Sequence, residues 1–73
     1  MIVTKHLIKR RDLRHHNVQA MLTRLEPETY ELTVIEPQVP NPLTQRILFA
    51  NSRRDAIQQF SEWLNIHFPK ASA

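Results

Sequence analysis

The sequence contains no cysteine and no glycine. Without cysteine, a disulfide framework and a thiolate zinc site are excluded, so packing or oligomerisation has to stabilise a chain of 73 residues. Without glycine, neither a phosphate-binding P-loop nor the glycine-flanked serine elbow of a hydrolase can form. These two absences, together with a size that seldom supports a deep pocket, predict that the protein is not an enzyme.

Long apolar runs are also missing. The longest ones fall far short of the ~20 residues that a membrane-spanning helix needs, and the first fourteen residues interleave Lys, His and Arg with apolar side chains. This pattern is typical of neither a signal peptide nor a membrane anchor. We therefore expect a cytoplasmic protein without a membrane partner.

The charge is distributed unevenly along the chain. Residues 1–25 carry six Lys or Arg and one Asp, whereas residues 26–73 carry four Lys or Arg and six Asp or Glu. Such asymmetry is typical of a basic surface that meets a polyanion, and guanidinium groups pair well with phosphate oxygens. The candidate nucleic-acid-binding residues are Lys5, Lys9, Arg10, Arg11, Arg14, His15 and His16.

The four histidines do not indicate a metal centre. His6, His15, His16 and His67 lack the i, i+4 histidine pair and the neighbouring carboxylate or thiol ligands of a recognisable zinc site. His67 lies near the end of a predicted helix, where the helix dipole favours a positive charge. We expect neither a metal nor another cofactor.

The clearest secondary-structure signal predicts a helix over about Arg53 to His67. Ser52 followed by Asp55 resembles a helix cap, and Pro69 disfavours helical backbone at Phe68. Apolar residues at helical spacing form one stripe, which has to pack on another layer. The stripe comprises Ala56, Ile57, Phe60, Trp63, Leu64 and His67.

Two strands are predicted before this helix. Residues 30–35 alternate in polarity, which places Tyr30, Leu32 and Val34 on the buried face, and residues 46–50 form a short apolar run that leads into the helix. Three prolines within residues 37–42 indicate a rigid connecting loop.

The segment from Val18 to Leu25 fits two structures. As a strand it places Val18, Ala20 and Leu22 on one face, and Glu26-Pro27-Glu28-Thr29 forms a hairpin turn. As a helix capped by Asp12 it also presents an apolar stripe. We favour the strand, because three strands give the terminal helix a sheet to cover.

The predicted fold is therefore α+β, a three-stranded antiparallel β-meander followed by one C-terminal amphipathic α-helix. We expect residues 18–68 to form the single domain and residues 69–73 a disordered tail. Residues 1–17 are expected to be a basic N-terminal arm, and the segment around Ile2 to Ile8 is compatible with either a short strand or a mobile chain.

The segment from Val18 to Phe68, and within it the passage Ile47-Leu48-Phe49-Ala50-Asn51-Ser52-Arg53-Arg54-Asp55-Ala56, resembles in layout the bacterial CedA family of cell-division activators. It resembles integrase arm-binding and AP2-type domains more loosely. The resemblance implies a sheet face that meets DNA. This sequence departs from that pattern by carrying Glu31 and Glu36 on the exposed side of its second strand, which disfavours groove readout by the sheet.

These observations support two hypotheses about function. The first is a non-enzymatic nucleic-acid-binding or regulatory protein of bacterial, phage or plasmid type. The second is a protein-interaction module, such as a host-factor inhibitor or a small subunit of a larger assembly. For either we expect a homodimer, because a small sheet covered by one helix leaves edges and a face open.

The aromatic residues are expected to lie in the core rather than beside the basic residues. Tyr30, Phe49, Phe60, Trp63 and Phe68 all fall on predicted buried positions, with Trp63 as a core anchor. We therefore expect contact with the phosphate backbone and no base stacking.

Overall fold

The computed structural model describes residues 6–69 and consists of four strands followed by one helix. The strands form one antiparallel sheet in the order β1-β2-β3-β4, which confirms the α+β class and a meander that feeds a helix. Lys5 and, apart from Pro69, the expected tail lie outside the described residues. The elements are β1 (His6–Leu13), a 3₁₀ turn (Arg14–His16), β2 (Val18–Glu26), β3 (Thr29–Ile35), β4 (Thr44–Phe49) and α1 (Arg53–His67).

The sheet has four strands, so the prediction of three was wrong. The additional strand, β1, pairs with β2 from Leu13 opposite Val18 to His6 opposite Arg24, with a register shift between Leu7 and Lys9. That shift interrupts the alternation of polarity, and an edge strand exposed to solvent tolerates a run of charge. For both reasons the sequence pattern of β1 does not look like that of a strand.

The ambiguous segment is a strand. β2 pairs along its length with β3, and its Val18, Ala20 and Leu22 are buried on one face as the strand interpretation predicts. The connection between β2 and β3 is the two-residue turn Pro27-Glu28. The backbone N–H of Ala50 donates to the Glu28 carbonyl (3.1 Å), which ties this turn to the segment between β4 and α1.

The helix begins and ends where the sequence predicts. The Ser52 Oγ accepts a hydrogen bond from the Asp55 backbone N–H (3.1 Å), which satisfies one of the donors that a helix N-terminus leaves unpaired. At the other end the Phe68 N–H donates to the Leu64 carbonyl (2.7 Å). Within residues 6–69, no helix has the length and apolar character needed to cross a membrane.

The core lies between α1 and one face of β2 and β3. Phe60 is the largest fully buried side chain, and the predicted positions on β2 and β3 are all at most 6% exposed. Of the predicted helix stripe, Ala56, Phe60 and Leu64 are buried, Ile57 is partly buried and His67 is exposed. Trp63 is only partly buried and packs against this core from its edge. The core residues are Val18, Ala20, Leu22, Tyr30, Leu32, Val34, Ala50, Ala56, Phe60 and Leu64.

Within residues 6–69, no helix covers the opposite face of the sheet. Thr33, at the centre of this face, is buried and donates from Oγ1 to Glu31 Oε1 (3.5 Å). Toward β4, Ile47 and Phe49 are 48% and 72% exposed. The prediction that Phe49 belongs to the core was therefore wrong, because alternation along β4 turns Leu48 toward the helix and Phe49 away from it.

Replacing Phe60 by alanine should destabilise the protein by about 3–5 kcal/mol, because the substitution removes a large side chain from a fully buried site. The same substitution at the exposed Phe49 is the matched control and should cost less than about 1 kcal/mol. Thermal and urea unfolding followed by circular dichroism measure both. Equal losses of stability at the two positions would contradict the assignment of the core.

Candidate nucleic-acid interface

The basic residues of β1 lie on both sides of the sheet edge. Lys9 and Arg11 are opposite Leu22 and Ala20 and so project toward the helix side, whereas Arg10 is opposite Met21 and projects toward the open face. Lys9 and Arg10 are exposed, and Arg11 is partly buried. Because β1 is an edge strand, both sets of side chains border solvent along the same edge.

The cations of β1 and of the 3₁₀ turn differ in whether they form salt bridges. Arg10 Nε lies 3.7 Å from Asp12 Oδ1, and both side chains are more than half exposed, so this pair contributes little to stability but offsets part of the local charge. Within residues 6–69, no salt bridge involves Lys9, Arg11 or Arg14. These three cations are available to an anionic ligand.

The 3₁₀ turn carries the other predicted residues. Arg14, His15 and His16 are all exposed, and the turn closes with a hydrogen bond from the Asn17 N–H to the Arg14 carbonyl (3.3 Å). Asn17 adopts left-handed backbone (φ 54°, ψ 41°), which asparagine tolerates better than most residues other than glycine. In a chain without glycine, Asn17 is what allows this tight connection to β2.

A cleft of about 310 Å³ lies where the 3₁₀ turn meets the C-terminal end of α1. It brings together four of the seven predicted residues, and leaves Lys9 and Arg10 outside. It also contains an aromatic ring from the other end of the chain. The residues that line it are Arg11, Asp12, Leu13, Arg14, His15, His16, Phe68 and Pro69.

His16, in the 3₁₀ turn, contacts the residues that follow α1 on the other side of this cleft. Its Nε2 lies 3.1 Å from the Pro69 carbonyl oxygen, which can only accept, so Nε2 is the protonated nitrogen in this contact. Its ring also packs against Phe68 in an edge-on arrangement, with centroids 5.2 Å apart and planes at 73°. The turn is therefore fixed against the end of the helix.

Phe68 belongs to a cluster of rings, the helix-end aromatic cluster, formed by His16, Trp63, His67 and Phe68. Trp63 stacks on His67 at 4.2 Å and lies 6.0 Å from Phe68. The prediction that aromatic residues lie apart from the basic residues was wrong for Phe68. Phe68 is partly buried against the core, but the sequence carries no signal that α1 ends beside the 3₁₀ turn.

Two smaller clefts are less suited to an anion, because each is lined by one arginine and one carboxylate. One, of about 180 Å³, lies between the 3₁₀ turn and Pro37, and the other, of about 220 Å³, lies beside the β2–β3 turn and includes Glu26. Among residues 6–69 no group of three or more His, Asp or Glu side chains is placed to hold a metal ion.

Comparison of the chain with protein-family models, with curated proteins and with solved structures gives no significant match. Functional inference therefore depends on the chemistry of the cleft and of the sheet edges.

Replacing Asn17 by valine should destabilise the protein by at least about 1 kcal/mol, because a β-branched residue is poorly compatible with left-handed backbone. Asn17→Gly is the control and should retain stability close to that of the parent, since glycine adopts this conformation freely. Chemical unfolding measures both, and a valine variant as stable as the glycine variant would contradict the role of Asn17.

Proposed function

We propose that this chain is a small non-enzymatic nucleic-acid-binding protein that contacts the phosphate backbone through β1 and the 3₁₀ turn. The observation that supports this most directly is the cleft, which both Arg11 and Arg14 line without a salt-bridge partner among residues 6–69. Phosphate contacts by exposed cations need no enclosed pocket and supply most of the affinity for a polyanion.

The distribution of carboxylates favours the β1 edge over the open face as the contact surface. Glu31 lies in the middle of the open face on β3, opposite Thr23 and Ile47, whereas Asp12 is the one carboxylate of β1 and already faces Arg10. A phosphate chain that follows β1 and the 3₁₀ turn meets mainly positive charge. The layout-level resemblance to the CedA family agrees with DNA as a partner. The resemblance implies contact through a face of the sheet, whereas the contact proposed for this chain is through the β1 edge.

Arg11→Gln and Arg14→Gln should each reduce the dependence of duplex DNA binding on salt. Each lost phosphate contact removes about 0.9 from the slope of log affinity against log salt concentration. Fluorescence anisotropy over a salt series measures this slope. The effect should depend little on DNA sequence, because phosphates carry no direct sequence information.

Arg53→Gln is the control for these variants, because Arg53 begins α1, about 20 Å along the helix axis from the cleft. It should leave the slope nearly unchanged. Substitution is a cleaner test than deletion of the basic segment, because a deletion would also remove β1 from the sheet. Absence of measurable affinity of the parent for both duplex and single-stranded DNA at low salt would overturn the proposal.

A second candidate function, a protein-interaction module that first pairs with a copy of itself, is favoured by the exposed apolar residues of β4. β4 is an edge strand without Lys or Pro, and its one charged side chain, Arg46, is opposite Leu32 on the helix side of the sheet. The face that carries Ile47 and Phe49 therefore has no charge from β4 to oppose pairing with another strand. Antiparallel pairing of β4 with its copy about a two-fold axis would place Ile47 and Phe49 of both copies on the same face.

Sedimentation of the parent at high micromolar concentration should therefore give the mass of a dimer. The double variant Ile47→Lys with Phe49→Lys should be monomeric, because it places like charges across the pairing strands. Ile66→Lys, at an apolar helix position that is 74% exposed, is the control and should remain dimeric. A monomeric parent would contradict self-association through β4.

A further inference from the structure

The cleft combines two kinds of group that the sequence keeps far apart. Arg11 and Arg14 supply positive charge, and Phe68, partly buried, supplies an apolar ring to the same cleft. Cations that follow a phosphate chain beside rings that stack on bases are the combination by which proteins bind single-stranded nucleic acid.

We propose that the cleft binds one nucleotide of a single-stranded nucleic acid, with its base against Phe68 and His16 and its phosphates at Arg11 and Arg14. This inference rests on the proposed function and specifies the class of nucleic acid. In a duplex the bases are stacked on one another and paired, so a ring at the protein surface cannot reach their faces. An unpaired base has both faces free.

The dimensions of the cleft fit this ligand. Its volume of about 310 Å³ is at the lower end of the ~300–1,000 Å³ typical of small-molecule sites, which suits one planar base and not an extended ligand. Leu13, which also lines the cleft, is partly buried against the core and adds apolar surface beside Phe68.

The helix-end aromatic cluster is held in position by contacts within the chain itself. The His16 contact with the Pro69 carbonyl, the edge-on contact of His16 with Phe68, and the packing of Phe68 near Trp63 hold the turn and the helix end together. Side chains that the fold already holds in position lose less conformational entropy when they bind a base.

One carboxylate, Asp12, lines the cleft and opposes an anion there. Its Oδ1 lies 3.7 Å from Arg10 Nε, and its side chain is 54% exposed, so pairing and solvent both reduce its repulsion. The remaining charged groups that line the cleft are Arg11 and Arg14, which gives it a net positive charge.

The first test uses the unmodified chain and compares three labelled probes by fluorescence anisotropy at low salt. They are a short oligothymidylate, an abasic strand of the same length and charge, and a duplex of that length. The oligothymidylate should bind at least about fivefold more tightly than the abasic strand, the lower end of what stacking of one base contributes. The fluorescence of Trp63, the sole tryptophan, should change more with the oligothymidylate.

The second test locates the stacking. Phe68→Leu should reduce oligothymidylate affinity to that of the abasic strand while leaving duplex affinity unchanged. Ile66→Ala, at an exposed apolar position of α1 that does not line the cleft, is the control and should bind all three probes like the parent. Thermal unfolding of each variant verifies that it is folded. The comparison of the oligothymidylate with the abasic strand uses the unmodified chain and does not depend on any variant.

The outcomes separate this inference from the proposed function. Equal affinity of the parent for the oligothymidylate and the abasic strand overturns base binding but leaves backbone contact standing. Retention of the base-dependent affinity by a folded Phe68→Leu variant overturns the cleft as the site. No salt-dependent binding to any of the three probes overturns both proposals.

Discussion

The packing of Phe60 and its neighbours Ala56 and Leu64 against the buried face of β2 and β3 is the interaction on which the rest of the structure depends. A domain of this size buries a smaller share of its surface than a larger domain does, so one fully buried aromatic ring accounts for a large part of its stability. This contact also fixes the direction in which α1 crosses the sheet. The direction of α1 determines where Phe68 and Pro69 lie, and so determines one wall of the cleft.

The other wall depends on β1 and on Asn17. Pairing with β2 holds the basic residues along a sheet edge, and the left-handed backbone of Asn17 allows a three-residue turn to project Arg14, His15 and His16 toward the helix end. The contacts of His16 with Pro69 and Phe68 then join the two walls. Through these contacts the basic segment, whose sequence pattern does not look like that of a strand, forms one side of the cleft.

The surfaces proposed for nucleic acid and for a second copy lie at opposite edges of the sheet. β1 borders the cleft, whereas Ile47 and Phe49 belong to β4. Two copies paired through β4 would carry a basic edge at each end of a continuous sheet. Both edges could then contact one polyanion, which raises affinity without any new contact within a single copy.

The sequence by itself determined the parts of the fold that follow from local periodicity. The helix bounds, the Ser52 cap, the buried face of β3 and the identity of the basic residues can all be predicted, because capping chemistry and alternation act over a few residues. The periodicity of β2 fits a helix as well as a strand, and the strand was preferred because the helix needs a sheet to cover. Only the tertiary structure decided that β1 is a strand, that Phe49 is exposed and that Phe68 lies beside Arg11 and Arg14. The reason is physical. An edge strand gains its structure from a neighbour rather than from its own pattern, and a contact between the two ends of a chain depends on the angle at which the helix packs on the sheet.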